Sequence, residues 1–193
     1  MIKLDSVSKS FDGKTVIDRF SYEFEQDKMY ALTGDSGIGK TTLLNLLCGI
    51  YVPDSGNITS DKKISFGCVF QDDRLFEEQS SVKNIKIATK IKDEKYIRAE
   101  LSSLLPADEL DKPVKELSGG MRRRVCIVRA VLSNTDVLLL DEPFAGLDEN
   151  NIKIAMDYIL SGRKNRTIVM TSHTFDFPEE FIKIQLKNNG KTE

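Results

Sequence analysis

The stretch Gly34-Asp35-Ser36-Gly37-Ile38-Gly39-Lys40-Thr41-Thr42 constrains this chain more than any other. It follows the apolar run Met29-Tyr30-Ala31-Leu32 and precedes Leu43-Leu44-Asn45-Leu46-Leu47, an order that reads strand, glycine loop, helix. Gly34, Gly37 and Gly39 lack a Cβ where the main chain turns sharply, so the N–H groups of the loop can face inward around an anion. A helix opening at Lys40 adds its N-terminal dipole, Lys40 can reach a phosphate, and the Thr41 hydroxyl can serve Mg²⁺. An ordinary glycine turn would not need the full G-x4-G-K-T spacing, so the loop points to nucleotide binding.

Length and charge set the frame for that loop. The 193 residues suit one α/β domain. A net charge of -2, from 28 basic and 30 acidic residues, gives no global pull toward nucleic acid, which is not expected as a partner. No apolar run approaches the roughly 20 residues of a membrane span, and the start Met1-Ile2-Lys3-Leu4-Asp5 has no apolar signal core, so a soluble, cytoplasmic protein is expected. Cys48, Cys68 and Cys126 are odd in number and set among apolar residues, and read as reduced core thiols. The tail from Lys187 to Glu193 reads as loose.

Along the chain, Ile2 to Val7 and Thr15 to Phe24 read as an antiparallel β layer around the turn Ser10-Phe11-Asp12-Gly13-Lys14. Phe11 in that turn is placed to stack on a planar ligand or to pack at an edge. Ile58 and the run Ile64 to Phe70 read as further strands, the second ending at Gln71, whose neutral amide could order a metal or an attacking water. Val82, Ile85 and Ala88, then Ile97, Leu101, Leu104 and Leu105, recur at helical spacing. Within this helical insert, Ser118 reads as the N-cap of a helix carrying Met121, Val125, Val128 and Leu132 on one face, and Ser118-Gly119-Gly120 reads either as a second anion-binding helix start or as a capped helix and nothing more. Arg122, Arg123 and Arg124 read as a solvated helix face.

Val137-Leu138-Leu139-Leu140 is continuously apolar, as a buried parallel strand is, and ends in Asp141 and Glu142. At the carboxyl edge of an open sheet these acids face the ligand crevice, where Asp141 can hold Mg²⁺ and Glu142 can polarise a water. Asp148 reads as the cap of the next helix. Thr167 to Ser172 is a further strand ending at His173, the only histidine, which could bond a γ-phosphate or the water. Phe181 to Leu186 alternates and reads as the last strand.

Together these stretches resemble the ATP-binding subunit of ATP-binding cassette (ABC) transporters across essentially the whole chain. Phe11 matches the family's adenine-stacking aromatic, Gly34 to Thr42 its Walker A loop, Gln71 its Q-loop, and Leu117 to Met121 its signature sequence. Asp141 and Glu142 match Walker B and the catalytic carboxylate, Ala145 to Asp148 the D-loop, and His173 the switch histidine. The resemblance implies a P-loop NTPase fold of the α/β class: a parallel core sheet, an antiparallel β layer and a small helical subdomain. It makes residues 1–193 one nucleotide-binding domain, with a core of about 1–77 and 133–193 and a subdomain of about 78–132.

The resemblance further implies ATP and Mg²⁺ as ligands, with Thr41, Gln71 and Asp141 at the metal and Glu142, His173 and Gln71 as catalytic residues. It also implies a head-to-tail homodimer, or heterodimer with another cassette, in which Ser118, Gly119 and Gly120 cover the partner's ATP. Integral-membrane permease subunits would hold the chain at the inner face of the membrane. The family signature usually ends in Gln where this chain has Met121. The segment Phe70 to Phe76 is similar to the Q-loop region of importers for nitrate, sulfonates and taurine, and its Leu75 and Phe76 read as exposed. The alternative is a soluble ABC-type ATPase acting on nucleic acid, ribosomes or protein assembly.

Overall fold

A computed structural model describes residues 1–173 and 175–187; of the expected loose tail from Lys187 to Glu193, all but Lys187 lies outside the described residues. The elements run β1 (Ile2–Phe11), β2 (Lys14–Phe24), β3 (Met29–Thr33), α1 (Lys40–Leu47), β4 (Ser55–Ser60), β5 (Phe66–Val69) and α2 (Ser81–Thr89). Then follow α3 (Glu94–Ser102), α4 (Gly119–Leu132), β6 (Val137–Leu140), α5 (Glu149–Ser161), β7 (Thr167–Thr171) and β8 (Ile182–Gln185).

Two sheets form. β2, β1 and β4 make a three-stranded antiparallel layer, which places Ile58 beside Leu4 of β1. The other sheet has the order β5-β6-β7-β3-β8, and every pairing in it is parallel. Its strands β6 and β7 are buried along their whole length and, apart from the hydroxyls of Thr167 and Thr171, apolar on both faces, whereas the edge strand β8 buries only Ile184. The period of two divides the sheet's side chains between two cores. Ala31, Leu138, Leu140, Ile168 and Met170 join the core beneath α2, α3, α4 and α5. Tyr30, Leu32, Val137, Leu139 and Val169 join the core that contains α1 and the antiparallel layer. Fully burying each Val or Leu contributes about 1.5–3 kcal/mol, so the interior strand β6, buried at all its positions, is held from both sides.

The helical insert is also set by its sequence. Ser80 and Asp93 cap α2 and α3 by accepting from the N–H groups of Lys83 and Tyr96. Val82, Ile85, Ile97 and Leu101 are buried as their spacing requires, whereas Ala88 is exposed because α2 turns that position to solvent. Leu75, expected on the surface, is half-buried and packs on the helical core, while Phe76 is 56 % exposed.

The three cysteines are free thiols, as expected. Cys126 is buried, which pushes its thiol up to about 12. Cys48 and Cys68 are half-buried and share a hydrogen bond that draws Cys48 down to about 7 and pushes Cys68 up.

Candidate functional site

Parallel strands present all their carboxyl ends at one edge, and several of the singled-out residues follow those ends. β3 runs into the loop 34–39, β5 toward Gln71, β6 into Asp141 and Glu142, and β7 toward His173. Ser36, Gly37, Gly39, Lys40, Thr41, Thr42, Gln71, Asp141, Glu142 and His173, with Val16 of β2, line one cavity of about 470 Å³.

The loop requires its glycines for two separate reasons. Gly34 has φ +132°, and a Cβ there would come within 2.6 Å of the Leu186 carbonyl oxygen. Gly39 has φ +112°, and its Cβ would meet Ile17 and Val16 at 2.9 and 3.0 Å. Gly39 also stands at the N-cap of α1, where no side chain accepts from the helix. The first N–H groups of α1 therefore face the cavity with their dipole available to an anion. Asp35 contributes its backbone here, and Ile38 packs into the core containing α1.

Lys40 is only 6 % exposed, and its ammonium donates to the carbonyls of Gly34 at 2.7 Å and Asp35 at 2.9 Å. Burial pulls its pKa below the ordinary lysine value, opposed by the charges of Glu142, Asp141 and Asp35. The cation is thus folded into the curve of the loop that a phosphate chain would fill.

At the end of β6, the Asp141 side chain is buried and its Oδ1 accepts from the Thr171 hydroxyl at 2.8 Å. The same Thr171 oxygen accepts from the N–H of Glu142 at 2.9 Å. Glu142 has φ +47°, in the left-handed region that a residue with a long side chain seldom enters. Its Oε2 accepts from the backbone N–H of His173 at 3.2 Å, and its Oε1 lies 3.2 Å from His173 Nε2. Oε1 is nevertheless buried and, among the described residues, without a well-directed hydrogen bond. A buried carboxylate oxygen left open in this way can accept a proton from a water in the cavity.

The donors also fit Mg²⁺, a hard ion that is usually bound by one or two carboxylates and substrate phosphates rather than by an all-protein cage. Thr41 and Asp141 supply hard oxygens in the cavity, with Gln71 at its rim. Among the described residues no group of three or more His, Cys, Asp or Glu gathers into a complete cage.

Ser118, Gly119 and Gly120 lie elsewhere. They line a second cavity of about 600 Å³ with Asp73, Arg123, Arg124, Asn151 and the segment 145–148, and Gln71 belongs to both cavities. Ser118 caps α4 as expected, accepting from Met121 N at 3.3 Å. The cap uses the backbone N–H of Met121, and the Met121 side chain packs on the helical core, so replacing a polar residue there leaves the helix start intact. Asp148 caps α5, accepting from Asn151 N at 2.8 Å. Phe11 lines neither cavity. It sits at the end of β1, 37 % exposed, with Tyr51 edge-on at 5.2 Å and Lys9 Nζ 5.5 Å from its ring centre.

The three consecutive arginines are not a solvated face. Arg123 is 3 % exposed and donates to the carbonyls of Phe70, Asp141 and Glu142. Arg124 reaches the Leu104 carbonyl and Asn151, and Arg122 pairs with Asp73 and Glu77. Strand-end carbonyls that point away from any ladder partner need donors, and the guanidinium fork satisfies several at once. Thr171 and Arg123 are the site residues that sequence reasoning missed. Arg123 falls at i, i+4, i+7 with buried Ile127 and Ala130, so extending that buried stripe back by one turn would have reached it.

Comparison with known proteins identifies the family. The family model described as ABC transporter matches residues 17–145. An uncharacterized ABC transporter ATP-binding protein of Bacillus subtilis, YybJ, is 33 % identical, with 100 % of this chain and 95 % of that protein covered. The spermidine/putrescine import ATP-binding protein PotA of Fusobacterium nucleatum is 35 % identical over 82 % of this chain, and the chain spans only 47 % of that relative. A dimeric ATP-binding cassette, MJ0796 bound to ADP and Pi, superposes with a TM-score of 0.88 at 23 % identity, covering 100 % of this chain and 97 % of that one. The family model covers most of the chain and the Bacillus relative all of it: the chain belongs to the ABC transporter family, as an ATP-hydrolysing cassette.

Proposed function

We propose that this cassette closes head to tail with a second copy, or with another cassette, around two Mg-ATP molecules, and that hydrolysis lets the pair reopen and drive separate membrane subunits. The observation that carries this reading is the separation of two anion sites in one chain. The Lys40 cavity has an uncapped helix start, a buried cation and an open carboxylate, yet the Ser118 helix start faces a different cavity. One ATP held between two chains uses both, which a single chain does not.

In this reading Lys40 and the N–H groups of the loop offset charge on the phosphates. Mg²⁺, held by Thr41 and Asp141 beside Gln71, supplies further neutralisation of the phosphates when bound. Gln71 and His173 orient the water and the γ-phosphate, and Glu142 takes the proton of the water. Phe11 offers its exposed ring to adenine. Base stacking typically contributes about 1–3 kcal/mol, so Phe11→Ala weakens ATP binding several-fold or more. Unchanged affinity by calorimetry would remove Phe11 from the site.

The helical subdomain, about residues 78–132, carries Ser118 and borders the Gln71 segment. Phe76, on that segment, and Ile87, on α2, are 56 % and 52 % exposed, and we assign them to the dock for a membrane subunit. That dock holds the chain at the inner face of the membrane; among the described residues no helix is long and apolar enough to cross one. Phe76→Asp lowers transport and co-purification with the membrane subunit from detergent-solubilised membranes while sparing ATP turnover by the isolated chain. Equal loss of transport and of isolated turnover would return Phe76 to a structural role. Cargo is selected by the membrane subunits, and the nitrate, sulfonate and taurine likeness of Phe70 to Phe76 draws no support from relatives named for spermidine and putrescine import.

A further inference from the structure

We propose that Arg123 is a positioning residue for hydrolysis: its buried guanidinium clamps the peptide of Glu142 in the left-handed conformation and fastens it to the backbone of the Gln71 segment. The proposal rests on Glu142 being the base, as read above.

The geometry is that of a fork closed on two strand ends. Nη2 donates to the carbonyls of Asp141 and Glu142, both at 2.7 Å, and Nε donates to Glu142 O at 3.1 Å. Nη1 reaches the carbonyl of Phe70 at 2.5 Å and that of Gln71 at 3.4 Å, with Asp73 Oδ1 at 3.5 Å as the counter-charge. A guanidinium this buried persists only when its donors are satisfied, and here its bonds go to the two segments that carry the base and the neutral amide.

Glu142 supplies the independent observation. A φ of +47° is unfavourable for Glu and is held only where surrounding bonds over-determine it. The N–H of this residue is tied to the Thr171 hydroxyl, and its carbonyl takes Arg123 Nε and Nη2 besides the N–H of Ala145. Without the arginine the carbonyl loses its charged anchor, the backbone can relax to negative φ, and the carboxylate leaves its line with His173. Arg123 also stands on α4, five residues beyond Ser118. The helix whose start meets the partner's ATP therefore grips, a turn later, the base that serves its own.

The test uses the full chain, measuring ATP turnover, KM for ATP and melting temperature. Arg123→Lys keeps the charge but cannot span both carbonyl sets, and Arg123→Gln keeps a single donor amide. Each is expected to lower kcat about tenfold or more with KM within about threefold, the signature of a lost transition-state alignment rather than lost binding. In the Glu142→Gln background neither change lowers the residual rate further, because the group being positioned is gone. Full kcat in Arg123→Lys, or an equal fractional loss in both backgrounds, would overturn the proposal. So would a rise in KM matching the fall in kcat. A Glu142→Gln protein as active as wild type would instead overturn the assignment of Glu142 itself, and with it this one.

Discussion

Glu142→Gln lowers ATP turnover by about 10²–10⁴-fold, the usual contribution of a positioned general base, while ATP affinity stays within a few-fold. That loss corresponds to about 3–5 kcal/mol in the barrier. The amide is nearly isosteric, and its oxygen can still accept from the backbone N–H of His173, as Oε2 does. The proton-accepting capacity of Oε1 is lost, the buried oxygen that has no well-directed hydrogen bond among the described residues. Phosphate release and calorimetry on the same preparation separate the two effects. A parallel loss of affinity would mean that the carboxylate serves the fold or the metal rather than the water.

Ser118→Arg should abolish turnover while leaving ATP bound at Lys40, because the change lies in the second cavity and adds bulk where, in the proposed dimer, the partner's phosphate enters. It also removes the cap on Met121 N and sets a cation at a helix start, a combined loss of roughly 1–2 kcal/mol of helix stability. Ser118→Asp is the control that separates these effects. The carboxylate can still cap α4, yet it opposes the charge of a phosphate, so it too should lose turnover without losing thermal stability. Retained turnover in Ser118→Asp would show that α4 does not cover an ATP.

Much of this site was legible because its residues follow strand ends, and strand ends are local events in the sequence. The apolar run Val137 to Leu140 announced β6, with Asp141 and Glu142 at its carboxyl end, and the glycine spacing announced the loop before α1. Caps at Ser118 and Asp148 were legible because a short polar side chain before a helix bonds within three residues of itself. What escaped depends on distant partners. Arg122, Arg123 and Arg124 are chemically identical, and only the turn of α4 sends the second toward carbonyls of Asp141 and Phe70, 18 and 53 residues away. The left-handed backbone of Glu142 was hidden for the same reason, since composition favours Gly or Asn at such a φ. Leu75 and Phe76 are adjacent and apolar, and only the packing of the insert decides that the first is half-buried and the second exposed.

In the proposed dimer ATP is held between two chains, and the molar mass of the Glu142→Gln protein in solution decides whether it is. This protein retains the phosphate, Mg²⁺ and cross-chain contacts but not the cleavage, so bound ATP stabilises the associated state by mass action. Light scattering should give the mass of one 21.8 kDa chain without nucleotide and twice that mass with saturating Mg-ATP. The added Ser118→Arg change should return it to the single-chain mass. A single-chain mass at saturating Mg-ATP, both in Glu142→Gln and in the protein that also carries Met121→Gln, would contradict the account for two copies of this chain.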